Sequence, residues 1–146
     1  MKYRKAVFIV TYAKTKKGIE FLILKRKLHW KGWEFPKGGV DFLETKRAAV
    51  KRELHEETGL SPLGKIKKFD FFGKYLYGKE LHDRPKFRGQ TFTLYAVRVK
   101  KSRVRLDSRE HSDSKWVSYR EAVKKLKWSD QKKALKIVKK WLDKSE

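Results

Sequence analysis

Cysteine is absent from the 146 residues, which excludes a disulfide framework and a thiolate metal site. Any metal must therefore be held by oxygen or imidazole. No apolar stretch approaches the ~20 residues of a membrane span. At the N-terminus, the apolar run Ala6 to Val10 is too short for a signal segment and alternates like a strand. A soluble, cytoplasmic protein with no membrane partner is expected. Proline is scarce, at three residues, and neither an internal repeat nor a low-complexity linker divides the chain, so residues 1–146 read as one domain.

Acidic charge is also in short supply, with 17 Asp and Glu against 40 Lys and Arg, a formal net charge of +23. A charge of this size spreads positive potential over the surface and attracts polyanions such as nucleic acid or polyphosphates. A lysine-rich source proteome explains the number equally well, because charge alone indicates attraction and not chemistry. A hydrophobic content of 39% with 14% aromatics supplies a packed interior.

Residues 5–13 and 19–27 are rich in Val, Ile, Phe and Leu around a polar turn, the pattern of an antiparallel hairpin. Residues 28–44 hold too many Trp, Pro and Gly for a helix and read as a loop with short extended pieces. A helix is expected from the N-cap Thr45 to Thr58, with Gly59 at the C′ position. Residues 65–77 and 91–99 alternate as two further strands around a polar loop at 78–90, with Phe69, Phe71, Tyr75 and Tyr77 sharing a face. Ser118 to Glu121 fits a capping box for a short helix, and Ala134, Leu135, Val138, Trp141 and Leu142 stripe a last helix from about Ser129. Strands with interspersed helices give an α/β layer architecture around a mixed sheet.

Within the helix at 45–58, Glu53, Glu56 and Glu57 stand at i, i+3 and i+4, so three like charges gather on one face. A solvated acidic face is the plainer meaning of such a cluster. Hard carboxylate oxygens so placed also suit Mg²⁺ or Mn²⁺, whose binding would offset the repulsion. Ahead of them, Gly38 is followed after five residues by Glu44, and after seven more by Arg52-Glu53-Leu54-His55-Glu56-Glu57-Thr58-Gly59-Leu60. Seven fixed positions, each matched by chance about once in fifteen, make an accidental fit on the order of 10⁻⁸.

This constellation resembles the signature of the Nudix hydrolases over nearly the whole chain. The resemblance implies a mixed β-sheet sandwiched between helices, with two or three Mg²⁺ ions, or Mn²⁺, bound around the box with the substrate. Carried over by position, Glu53, Glu56 and Glu57 would be metal ligands or base, and a backbone carbonyl of Lys37 or Gly38 a further ligand. Arg52 would orient a box carboxylate, Glu44 would brace the loop to the helix, and Gly59 would close the box. Chemically this fits phosphoanhydride cleavage, where the substrate's charges must be neutralised and a proton acceptor set beside the attacking water. Gly38 and Gly39 would let the backbone turn and approach the metals.

Beyond the box, Trp33 to Gly38 resembles the approach segment of Nudix enzymes that cleave dinucleoside polyphosphates and of those that process RNA 5′ ends. Glu110-His111, then Trp116-Val117, resembles a segment of the dinucleoside tetraphosphate hydrolases, which makes Glu110 a further catalytic candidate. Lys25, Arg26 and Lys37 are candidates for substrate phosphates. His29, Trp30, Trp33, Tyr75, Tyr77 and Tyr95 are candidates to stack on a base. The leading expectation is an Mg²⁺-dependent hydrolase of dinucleoside polyphosphates. Alternatives are removal of pyrophosphate or cap from RNA 5′ ends, inositol pyrophosphate hydrolysis, and a catalytically dead basic RNA-binding module. The last conflicts with the intact set of box carboxylates.

Overall fold

A computed structural model describes residues 2–77 and 87–145, with only the backbone of Tyr75 included. The stacking role expected of the Tyr75 ring, and the loop expected across 78–86, lie outside the described residues. In chain order the elements are β1 (Lys2–Thr15), β2 (Gly18–Arg26), β3 (Gly32–Glu34), β4 (Lys37–Gly39) and α1 (Lys46–Thr58). They continue as β5 (Lys67–Leu76), β6 (Phe87–Arg98), β7 (His111–Val117), α2 (Tyr119–Lys125) and α3 (Ser129–Lys144).

The strands form one mixed sheet, and the way its first hairpin opens sets the site. β1 and β2 pair only near their turn, from Tyr12 with Phe21 to Thr15 with Gly18. Farther out, β1 takes β4 through Ala6 to Phe8, and β2 takes β3 through Leu24 to Arg26. The segment that carries the box glycines thus fills the opening. Along its other edge β1 runs parallel to β6, which pairs antiparallel with β5, while β7 adds antiparallel to β2.

Alternation along β1 divides the core into two layers. Ala6, Phe8, Val10 and Tyr12 pack with Ala122, Leu126, Ala134, Leu135, Val138 and Leu142 of the α2 and α3 region. On the opposite face Val7 and Ile9 pack with Ala49, Val50 and Leu54 of α1. This is the expected sheet between helices. Helix limits follow their caps: Thr45 Oγ1 accepts from Ala48 N at 3.1 Å, Gly59 adopts the left-handed φ of 76°, and Ser118 Oγ accepts from Glu121 N at 3.2 Å.

Two strand limits differ from expectation. β1 begins at Lys2 and β6 at Phe87, because these polar ends pair with each other, Lys2 with Phe87 and Arg4 with Gln90. A partner far along the chain supplies hydrogen bonds that no local apolar alternation announces. Gly38 and Gly39 also sit in strand β4 rather than in a turn, and neither has a positive φ.

Leu54 is fully buried between α1 and the sheet. Leu54→Ala should destabilise the fold by about 2–5 kcal/mol. Urea denaturation would show this as a lower midpoint with an unchanged slope.

Candidate active site

Arg52 joins the loop before α1 to the helix itself. Its Nε and Nη2 donate to the two oxygens of Glu44, both at 2.8 Å, and Nη2 also donates to the Gly39 carbonyl at 2.8 Å. Nη1 donates to Glu53 at 2.8 Å and to Glu56 at 3.3 Å. Arg52 holds the Glu44 carboxyl down at about 2, with a further hydrogen bond from Asp41 N. A Cβ at 38 would lie 2.0 Å from the carboxyl carbon of Glu53, which Arg52 holds in place, and one at 39 would lie 2.3 Å from the Arg4 guanidinium. The need is for space between strand and side chains, and not for a turn.

Glu57 is buried, with Oε1 accepting from Lys37 N at 3.0 Å and Oε2 making no hydrogen bond. Burial first, then the neighbouring carboxylates Glu34, Glu110 and Glu53, push its carboxyl well above the ordinary 4.5. Glu53 is pushed up to about 7, chiefly by burial and further by Glu56 and Glu110, against the pull of Arg52. Glu110 comes to the same place from the turn before β7. Its backbone N donates to Asp107 O at 3.1 Å, and its carbonyl accepts from Lys27 N at 2.9 Å. A cleft of about 130 Å³ is lined by Gly38, Glu53, Glu56, Glu57 and Glu110 on the acidic side, and by Arg4, Arg26 and Lys37 among the cations. Ligand atoms of Glu57, Glu110 and His111 lie within 4.8 Å of one another. An orphaned buried carboxylate oxygen amid further carboxylates is a donor set that fits a hard divalent cation.

A second, buried cluster escaped the sequence reading. The Glu34 carboxylate, fully buried, meets His111 Nε2 at 2.9 Å, Arg26 Nη1 at 3.2 Å, Trp30 Nε1 at 3.3 Å and Lys37 Nζ at 3.7 Å. Burial works to raise its pKa, but Lys37, His111 and Arg26 outweigh that and hold it at about 2. Arg26 and Lys37 also stand over the Trp30 ring, at 4.8 and 4.5 Å. A charged residue in a short apolar segment gives no hint that its partners come from β2 and β7.

Beside the cleft opens a groove of about 580 Å³, walled largely by Phe8, His29, Tyr77, Phe92 and Trp128. Trp30, Lys37 and Gln90 line both spaces. Trp128 and Gln90 had no distinguishing motif. Three of the expected substrate contacts stand elsewhere. Tyr95 is buried under α1 with Arg47 over its ring, because its register places it on the α1 face. Trp33 packs against the opposite core layer beneath Lys115 and Lys125, and Lys25 is exposed outside both spaces.

Comparison with known proteins bears on the family and the fold. A family model described as the NUDIX domain matches residues 2–138. An RNA pyrophosphohydrolase of a Nitratiruptor species is 32% identical over 117 residues, covering 77% of this chain and 76% of that protein. A NUDIX hydrolase structure from Listeria monocytogenes superposes with a TM-score of 0.80 at 25% identity, covering 99% of this chain and 97% of its own. The binary complex of a C. elegans Ap4A hydrolase gives a TM-score of 0.71 at 26% identity, with 96% and 98% covered.

The raised Glu53 carboxyl ties stability to pH when no metal is bound. Folded protein holds this proton more tightly than unfolded chain, so the associated stability is present below 4.5 and is lost as pH rises toward about 7. A shift of this size corresponds to ~3 kcal/mol. Thermal melts of chelated protein should fall across that window, Glu53→Gln should reduce the fall and leave the part that the buried Glu57 contributes, and Mg²⁺ should oppose it. A flat wild-type profile would contradict the burial of this carboxyl.

Proposed function

The chain belongs to the Nudix family and is a Nudix pyrophosphohydrolase, and from that premise we propose that it cleaves dinucleoside polyphosphates with Mg²⁺. The observation that carries this reading is the aromatic groove opening onto the acidic cleft across Trp30, Lys37 and Gln90. A nucleoside moiety fits the groove and a phosphate chain fits the cleft. Members of this family use a divalent cation, and the residues suited to hold it here are Glu53, Glu56, Glu57 and Glu110, with a backbone carbonyl of Lys37 or Gly38. Bound there, the cation would neutralise phosphate charge and acidify water.

The protein's own side chains supply the rest. Arg52 fixes Glu53 and Glu56 against Glu44, so the carboxylates do not reorganise as the reaction proceeds. Arg26, Lys37 and Arg4 present positive charge to the phosphates from the other side. Glu110, its backbone held by its turn and by Lys27 N, would complete the divalent cation's oxygen shell or take the proton of the attacking water. Trp30, flanked by two cations and bonded to Glu34, serves as the partition between groove and cleft.

A second reading, hydrolysis at triphosphorylated RNA 5′ ends, is favoured by the relative named RNA pyrophosphohydrolase. The same groove would then take the first base. Inositol pyrophosphates leave the groove without an aromatic occupant.

Purified protein with Mg²⁺ should hydrolyse a dinucleoside tetraphosphate in preference to nucleoside triphosphates, sugar nucleotides and triphosphorylated RNA. Faster turnover of the RNA would establish the second reading instead. Glu110→Gln should lower kcat by roughly 10²–10⁴-fold. Near-full turnover in that variant would remove Glu110 from the mechanism. Trp128→Ala should raise KM for the dinucleotide at least tenfold and leave kcat near wild type. An unchanged KM would separate the groove from substrate binding.

A further inference from the structure

One face of the sheet extends beyond the helix that covers it. The register of β1, β6 and β5 sets three rows: Tyr3 beside Gly89 and Leu76, Lys5 beside Thr91 and Lys74, Val7 beside Thr93 and Phe72. All lie on the face that α1 covers farther along, at Val7, Ile9, Tyr95 and Val97. Outside that cover, Phe72 is 61% and Leu76 59% exposed, and Lys5 and Lys74 are exposed between them. At the margin stand Phe42 and Leu43, close to fully exposed, on a tip joined to the sheet by Val40 N donating to Lys5 O at 2.9 Å.

Positive charge is concentrated on the same surface. Lys74 Nζ and the Arg88 guanidinium stand over the Tyr3 ring at 4.3 and 5.6 Å, and Lys46 Nζ donates to Thr93 Oγ1 at 3.0 Å. Lysine ion pairs occur elsewhere, at Lys37, Lys101 and Lys139. Among the described residues, none of Lys5, Lys46, Lys74 and Arg88 has a carboxylate partner. A second copy docked here would bring these cations against their own kind. Charge complementarity therefore selects a polyanion, and the exposed Phe72 ring beside the cations selects one with unstacked bases, because a ring stacks on a base while lysines follow the phosphates.

We infer that the open face of β1, β6 and β5 is a docking surface for single-stranded nucleic acid. It is distinct from the acidic cleft and independent of which nucleotide the cleft hydrolyses. Its contacts are Phe72 and Leu76 to bases, and Lys5, Lys46, Lys74 and Arg88 to phosphates.

The test uses a fluorescein-labelled 12-mer of oligouridine with a 5′-hydroxyl, which offers the cleft no phosphoanhydride to cleave, and reads anisotropy over a salt series. Phe72→Ala should weaken binding roughly 5- to 100-fold with the salt slope unchanged. Lys74→Ala should weaken it and reduce the slope by about one. Removing two exposed α3 lysines, with Lys132→Ala and Lys136→Ala, serves as the control and should have a smaller effect than Lys5→Ala with Lys74→Ala. Turnover of a dinucleoside tetraphosphate should match wild type in each variant, so that this inference and the cleft's substrate are judged separately. The inference is overturned if Phe72→Ala binds like wild type, or if the α3 pair loses as much affinity as the sheet pair, the signature of diffuse charge. It is equally overturned if Phe72→Ala abolishes self-association instead, which would make the face an interface between copies.

Discussion

A single guanidinium makes the acidic site compatible with a folded protein. Glu44, Glu53 and Glu56 all converge on Arg52, which also holds the Gly39 carbonyl. Carboxylates this close repel, and moving them out of water adds to the cost. One planar donor fork meeting these carboxylates and a carbonyl offsets much of that and fixes where each oxygen points. Lysine, with one ammonium centre, could not span the loop, the strand and the helix at once. The geometry of the cleft descends from this contact: Glu53 lies flat on Gly38 because Arg52 holds it there, and Gly38 lacks a Cβ because Glu53 occupies the space.

Glu34 performs the complementary task for the cations. Arg26, Trp30, Lys37 and His111 come from β2, from the loop after it, from β4 and from β7, and all meet its buried carboxylate. A buried ion network is weak evidence for stability, because desolvation cancels much of the attraction. Its value here is geometric. It places positive side chains along the cleft wall beside Glu53, Glu57 and Glu110, with Arg26 Nη2 coming within 3.9 Å of Glu110. Cations and carboxylates together line the space that a metal-bound phosphate chain would enter.

The extent to which this was legible in the sequence follows from how local each feature is. Helix α1, its caps and the spacing of Glu53, Glu56 and Glu57 depend on residues within one or two turns, and their positions could be read directly. Arg52 and Glu44 were legible as a pair only through the box pattern. Glu34 and His111 are 77 residues apart in sequence, and their contact depends on β3 and β7 both pairing with β2. No local period encodes that. Tyr95 and Trp33, expected at the substrate, stand against core layers, because an aromatic residue shows its face only once the strand's register is known. The polar ends of β1 and β6 were missed for the same reason, and with them Arg4 and Gln90, which line the cleft.

The contrast between the whole surface and the cleft has a physical consequence of its own. A net charge of +23 draws polyanions from a distance, yet the carboxylates at the bottom of the cleft would repel a phosphate chain on arrival. Screening limits the long-range field to about 8 Å at physiological salt, so local charges decide what happens at contact. At that range Arg26, Lys37 and Arg4 share the lining with four glutamates and Asp107. A bare polyphosphate would meet a site with more carboxylates than cations, and on the proposed reading bound divalent cations would tip the balance toward binding. Unspecific attraction by the lysine-rich surface and selective retention in the cleft are therefore separable. Salt would weaken the first strongly, while on the proposed reading metal availability would govern the second. On the proposed reading, a protein this basic would collect many anions at its surface and still admit to its chemistry only those that complete the carboxylate cluster with metal.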